Sequence, residues 1–344
     1  MKYTTLPNTD IKVSKICLGT MTFGNQNTEE EAHEQMNYAL TKGVNFFDTA
    51  EMYAVPPDAA TQGKTEEYIG SWFAKNKKRD EVVLATKVAG PSRGMDWIRK
   101  DLNFSKASLT DALHTSLKRL QTDYVDLYQL HWPERNVNVF GQRNYVHDNS
   151  EQWEDNFEDV LHVLDGFVKE GKIREVGISN ETPYGTLKFL EAAKKGLPRM
   201  QTVQNVYNLL NRAYEVNMAE VSHRENIGLL AYSPLGFGSL SGKYLDNPKA
   251  EGRITLYERY GRYLEPHVVR ATAQYKAIAD KYHLSLTHLA LAFINQQPFV
   301  TSNIIGATTM AQLEENIASI DVNLTKEILS DIEAVNYVLP NPAG

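Results

Sequence analysis

Cysteine is nearly absent: Cys17 stands alone among 344 residues. One thiol excludes an internal disulfide and a thiolate metal cage. Long apolar runs are missing as well. No stretch approaches the roughly 18–20 residues that cross a bilayer, and Met1-Lys2-Tyr3-Thr4-Thr5 lacks the apolar core of a signal peptide. Nor is there an excess of basic charge, since 36 Lys and Arg face 43 Asp and Glu for a net charge of −7. Such a surface attracts neither nucleic acid nor an anionic membrane at long range. Linkers and low-complexity tracts are wanting too. The expectation is a soluble, cytoplasmic chain folded as one domain over residues 1–344, with no nucleic-acid or membrane partner.

What the chain does contain is a repeated alternation. Eight short β-rich runs recur, beginning at Ile16-Cys17-Leu18-Gly19-Thr20, Val44-Asn45-Phe46-Phe47-Asp48, Val82-Val83-Leu84-Ala85-Thr86 and Val125-Asp126-Leu127-Tyr128-Gln129-Leu130. Val176–Ser179, Thr202–Val206, Leu229–Tyr232 and Asn303–Gly306 complete them. Between them lie amphipathic stretches such as Glu29–Leu40, Ser105–Leu120, Tyr184–Lys195 and Val268–Tyr282. Near-continuous apolar strands alternating with helices imply a parallel sheet covered on its faces. Eight such units predict an α/β fold of the (β/α)8 TIM-barrel type. Tyr3–Leu6 and Lys12–Ser14, around a turn-like Pro7-Asn8-Thr9-Asp10, predict an N-terminal hairpin capping one barrel end. Three long connections, 90–104, 133–156 and 235–266, follow the third, fourth and seventh strands. They therefore emerge at the C-terminal face, where barrel enzymes carry their sites.

Polar residues at those strand ends hold the chemistry. Asp48 ends the second run, Lys87 follows the third, His131 follows the fourth, and Tyr53 comes five residues after Asp48. Adjacent parallel strands lie roughly 4.8 Å apart, so these side chains can converge. A lysine there must be paired or sit at a wet mouth. A tyrosine, with an ordinary pKa near ~10, becomes a usable general acid if a neighbouring ammonium lowers that value. The aspartate holds the lysine charged, and the histidine hydrogen-bonds a carbonyl oxygen on its way to alkoxide. The set suits protonation of a carbonyl while a cofactor delivers hydride, which no side chain can supply. The residues alone leave a second reading open, a barrel aldolase or isomerase using Lys87 as a Schiff-base amine. No histidine spacing resembles a metal site.

These segments resemble the aldo-keto reductases. Phe47-Asp48-Thr49-Ala50-Glu51-Met52-Tyr53, Ala85-Thr86-Lys87 and Leu127-Tyr128-Gln129-Leu130-His131-Trp132-Pro133 look like the family's catalytic segments. Gly177-Ile178-Ser179-Asn180, Gln204-Asn205, Tyr232-Ser233-Pro234-Leu235 and the stretch from Ile305 to Asn316 continue the likeness across nearly the whole chain. The pattern is most similar to the bacterial Tas-type NADP(H)-dependent branch, with the potassium-channel β-subunit branch as a relative. The resemblance implies reduction of aldehydes and ketones to alcohols, with Tyr53 as proton donor, Lys87 and Asp48 tuning it, and His131 orienting the carbonyl. The cofactor implied is NADP(H). Ser179, Asn180 and Gln204 match the positions that bond the nicotinamide carboxamide, and Tyr232 the aromatic that stacks on its ring. Ser233 and Leu235 fall in the same cofactor segment. Gly306 matches a position of close backbone approach, and Thr308 the opening of a helix that favours phosphate. Gln312, Glu315 and Asn316, on one helical face, match adenine-side contacts. Lys243 and Arg253 resemble the phosphate-gripping pair of the channel branch, which favours NADP over NAD. That branch also implies an alternative, a redox-sensing module that holds NADPH and turns over slowly.

The likeness has departures. The glutamate expected three residues after the tyrosine has its equivalent in Glu66, thirteen after Tyr53, so Val55–Gly63 extends the loop beside the tyrosine. Gly236-Phe237-Gly238-Ser239-Leu240-Ser241-Gly242-Lys243 misses both the dinucleotide fingerprint and the P-loop, and reads as a mobile cover over the cofactor or a flexible turn. Trp97, Trp132 and Phe140, on strand-end loops, read as the lining of an apolar substrate pocket or as loop packing.

Overall fold

A computed structural model describes residues 1–91 and 93–344, with the backbone alone at 258 and 259. Two short antiparallel strands, β1 (Tyr3–Thr5) and β2 (Lys12–Ser14), form the expected hairpin. Eight parallel strands follow: β3 (Ile16–Gly19), β4 (Phe46–Asp48), β5 (Val83–Val88), β6 (Val125–Leu130), β7 (Ile173–Ser179), β8 (Met200–Val206), β9 (Gly228–Tyr232) and β10 (Val300–Ile305). They close in chain order, β10 pairing back onto β3, with helices between them, so the chain is a (β/α)8 barrel. Helices start where the sequence supplies caps: Thr28 and Glu31 make a reciprocal capping box before Glu29–Thr41, and the Ser105 hydroxyl accepts from Ser108 N before Lys106–Leu120.

The barrel interior is layered, and strand alternation explains the layers. At the N-terminal end Cys17, Phe46, Ala85, Leu127, Leu230 and Ile304 cluster with Leu6, Ile11 and Val13 of the hairpin, which seals the floor. Two residues further along their strands, Phe46 is followed by Asp48, Ala85 by Lys87 and Leu127 by Gln129. The next interior layer is thus polar, and it lies at the C-terminal mouth. The outward faces of the strands pack on the helices in the main core, which includes Phe47, Trp72, Tyr128 and Phe293.

Lys87, in or just beyond the third strand by sequence, lies inside it and fully buried, because β5 runs on to Val88. One connection is more ordered than its length suggests. The 235–266 connection is not an open loop. Gly236–Ser241 folds as a short 3-10 segment bent at Phe237 and Gly238, both at positive φ, and helical turns follow at Lys243–Asp246 and Arg253–Leu256. Apolar anchors explain this order, since Leu240, Tyr244, Ile254 and Tyr263 are buried. No helix among the described residues is long and apolar enough to cross a membrane.

Candidate active site

A cavity of ≈ 760 Å³ opens at the C-terminal mouth, within the range of small-molecule and cofactor sites. All of the candidate catalytic and cofactor residues line it except Lys87, which sits directly behind. Lys87 Nζ donates to Asp48 Oδ2 at 2.7 Å, to the Thr49 carbonyl at 2.7 Å and to the Tyr53 hydroxyl at 3.2 Å. The other Asp48 oxygen accepts from Gln204 Nε2 at 2.9 Å and Gln129 Nε2 at 3.3 Å. Burial works against the Lys87 charge, but the Asp48 carboxylate and the Tyr53 oxygen outweigh it and hold the ammonium above the ordinary lysine range.

Tyr53 departs from the simple expectation. Lys87 does pull its pKa down, yet burial is the larger effect and leaves the phenol above its ordinary value. A hydroxyl that keeps its proton at neutral pH is an acid in the loaded state, and the ammonium 3.2 Å away waits for the phenolate. The His131 ring lies 5.9 Å from that of Tyr53, edge to face. Burial first, then Lys87 and Arg93, push His131 well below the usual histidine range, so it is a neutral imidazole. Its Nδ1 is buried with no hydrogen-bond partner among the described residues.

A group that refuses a proton when folded stabilises the fold fully above its unfolded pKa, about 6.5. That contribution is lost as pH falls, because the unfolded chain then binds the extra proton. Urea unfolding of the wild-type protein from pH 7.5 to 5 should lose more stability than that of His131→Asn, by up to about 1.4 kcal/mol per pH unit. Parallel curves would show that His131 titrates normally.

On the other wall, Ser179 Oγ donates to the Gln204 carbonyl at 2.8 Å, and Asn180 Nδ2 donates to the His131 carbonyl at 2.9 Å. The Tyr232 hydroxyl donates to Asn180 Oδ1 at 2.6 Å, which fixes the ring at the cavity wall. Asn180 and Ser233 both adopt positive φ, turning the chain at the ends of β7 and β9. Lys243 Nζ donates to the Glu251 carbonyl at 2.9 Å, and Arg253 donates to the Met21 sulfur at 3.7 Å and stands 5.3 Å over the Phe237 ring. Neither forms an ion pair with a carboxylate among the described residues, and Arg253 Nε is buried without a partner. Burial lowers the pKa of both cations. Two neighbouring, unneutralised cations are a standing demand for an anion.

Along the far edge, a Cβ built on Gly306 meets nothing within 4 Å, so the backbone there faces open cavity. Asn316 Nδ2 holds the Gly306 carbonyl at 3.1 Å, and Ser285 Oγ donates to Glu315 at 2.7 Å. Thr308 does not open the helix. The cap is Thr309, whose hydroxyl accepts from Gln312 N, and the Thr308 amide is taken by Gln312 Oε1 at 2.9 Å. A helix of threonine-capped type needs the oxygen one residue before its first turn, and Thr309 supplies it. Glu66 is buried between Thr86 Oγ1 and Arg119, at 2.6 and 2.8 Å, behind β5. The 55–63 loop borders the cavity through Val55 and Pro57, and Trp97, Trp132 and Phe140 line it too.

Several contributors went unread. Gln129 shares Asp48 with Gln204, and its signal was the strand alternation that carries Leu127 inward. Glu51 pairs with Arg99 at 2.7 Å, tying the 89–105 connection to the segment that bears Tyr53. Arg93 and Arg262 enter the cavity from loops whose course no local pattern reveals.

The Aldo/keto reductase family model matches residues 15–337. The chain is 48% identical to protein tas of Escherichia coli (strain K12) over 351 aligned positions, covering 100% of both chains. It is 33% identical to the uncharacterized oxidoreductase YrpG of Bacillus subtilis (strain 168), over 100% of this chain and 98% of that one. A probable voltage-gated potassium channel subunit beta of Oryza sativa subsp. japonica is 31% identical, over 97% and 96% of the two chains.

Proposed function

The chain belongs to the aldo/keto reductase family, and we propose that it uses NADPH to reduce aldehydes and ketones to alcohols, with Tyr53 as the general acid. The observation that carries this reading is the Asp48–Lys87–Tyr53 chain of short contacts ending at the cavity. The residues present suit a nicotinamide dinucleotide phosphate. Ser179, Asn180 and Gln204 offer donors and acceptors together, as a carboxamide requires. Tyr232 offers a ring face, Gly306 an open strip of backbone, and Lys243 with Arg253 a double charge for a phosphate. Leu235 and Ser233, with Thr308, Gln312, Glu315 and Asn316, border the path between ring and adenosine ends. When bound, the cofactor supplies the hydride.

This chain's own part is proton supply and orientation. His131, neutral and beside Tyr53, holds the carbonyl oxygen by a hydrogen bond. Tyr53 passes its phenolic proton to that oxygen as negative charge grows there. Lys87 stabilises the phenolate left behind, and Asp48 with Gln129 and Gln204 keeps the ammonium in place. The Schiff-base alternative is disfavoured, because an ammonium held charged, with Asp48, Thr49 and Tyr53 around it, has no free amine to offer.

Mixing the protein with NADPH and an aldehyde should bleach the nicotinamide absorbance in proportion to alcohol formed. Gly306→Leu starts a side chain in open space at the cavity, since a Cβ there meets nothing within 4 Å. Its NADPH affinity should fall at least about tenfold, while stability stays within about 0.5 kcal/mol. Unaltered affinity would move the dinucleotide elsewhere.

A further inference from the structure

We propose that the carbonyl substrate carries an anionic oxygen group, a carboxylate or a phosphate, which docks between Arg93 and Arg262. The inference rests on the reductase reading above and names the substrate class of that same site. Both arginines line the cavity. They lie on the side reached from Tyr53 through an unbroken row of rings: Tyr53 to His131 at 5.9 Å, His131 to Trp132 at 4.9 Å, and Trp132 to Phe140 at 6.1 Å. The Arg93 guanidinium stands 4.4 Å over the Phe140 ring and 5.7 Å from that of Trp132. Arg262 approaches the next residue, since a Cβ built on Gly141 would stand 2.8 Å from its Nη1. The two guanidinium groups thus flank Phe140–Gly141, one from the connection after β5 and one from the connection after β9.

Arg262 is braced but not neutralised. Its guanidinium lies 4.8 Å over the Tyr263 ring and makes one long bond, 3.4 Å, to that hydroxyl. Among the described residues its buried Nε has no partner and no carboxylate pairs with it. Among the described residues, the acidic ones on the cavity wall are Asp48, Glu251 and Glu315. Asp48 is neutralised by Lys87, Glu251 adjoins Lys243, and Glu315 lies on the adenosine side. Among the described residues, therefore, nothing acidic offsets Arg262 on the cavity wall. The chain as a whole is negative, with a net charge of −7, so an anion is drawn in only if the mouth itself is positive. A planar fork on a ring suits a carboxylate or phosphate, and a neutral substrate would bring no counter-charge to the Arg262 guanidinium.

The test compares 4-carboxybenzaldehyde, 4-formylphenyl phosphate and methyl 4-formylbenzoate, which share a ring and differ in charge. The wild-type protein should favour one of the two anions over the ester by about tenfold to a hundredfold in kcat/KM, and the preferred anion separates carboxylate from phosphate. Arg262→Met should bring that ratio toward one, Arg262→Lys should restore part of it, and Arg93→Met should lower it. Calorimetric binding of 4-(hydroxymethyl)benzoate to the NADP+-saturated protein should weaken in Arg262→Met by a similar factor, independent of turnover. A wild-type ratio of one or less, or equal ratios and equal binding in Arg262→Met, overturns the assignment. So does a tenfold loss of NADPH affinity in Arg262→Met at constant ratio, which would give the guanidinium to the cofactor. Failure of all three aldehydes to oxidise NADPH sinks the reductase reading instead, and the calorimetric arm still decides the anion site.

Discussion

Tyr53→Phe should lower kcat/KM for every aldehyde by about 10²–10⁴-fold, the usual worth of a positioned general acid, while NADPH binds as before. The substitution removes one oxygen and keeps the ring that packs against His131. Lys87 loses its longest contact and retains Asp48 and the Thr49 carbonyl, both at 2.7 Å. Stability should therefore change by no more than about 1 kcal/mol. The measurement is paired: the rate of NADPH oxidation at saturating cofactor, and the cofactor dissociation constant from fluorescence. Wild-type turnover in the variant would mean that the proton comes from another group. Lost turnover together with lost NADPH affinity would mean that the hydroxyl serves binding. Turnover that is negligible in the wild-type protein, with tight NADPH binding, would favour a holding module.

Lys87→Met should abolish turnover and cost stability as well, by about 3–5 kcal/mol, because it leaves the Asp48 carboxylate buried without its counter-charge. Methionine fills the stem of the lysine but brings no positive charge. Adding Asp48→Asn to the same chain should recover part of the stability and none of the activity. That non-additivity is the signature of a coupled pair, and denaturant midpoints of the four proteins read it directly. Additive losses would show that the two residues act separately. The pH sign agrees with this picture. Lys87 has its pKa raised on folding, so its contribution is complete below the unfolded lysine value, about 10.4, and is lost only as pH climbs through the higher folded one. The Lys87 contribution to wild-type stability should thus stay flat from pH 6 to 9.

How much of this was legible in the chain depended on range. The strands could be read because their runs are buried on both faces and remain apolar whatever surrounds them. Asp48 and His131 were placed by strand ends, and Lys87 by its position after Ala85 and Thr86, even though β5 extends past it. Alternation, not the end of the strand, sends Lys87 inward. The direction of the Tyr53 shift was not legible. Its charged neighbour is visible locally, whereas its burial is assembled from Trp132, Met52 and Met95 across two connections. The Thr308 amide was misread for a similar reason. The side chain that occupies it, Gln312, lies one turn further along the helix and needs the true cap, Thr309, to be known first. Arg93 and Arg262 were invisible because long connections carry them to Phe140 and Gly141, and nothing in their local sequence marks it.

The hairpin at the barrel floor has one more effect. Leu6, Ile11 and Val13 close the end opposite the mouth, and among the described residues a buried apolar layer separates them from Lys87 and Tyr53. The molecule is a blind well. Under the proposed mechanism the phenolic proton is spent at each turnover, and its replacement descends the same shaft by which the alcohol departs. Recharging of the acid is thereby tied to clearance of product.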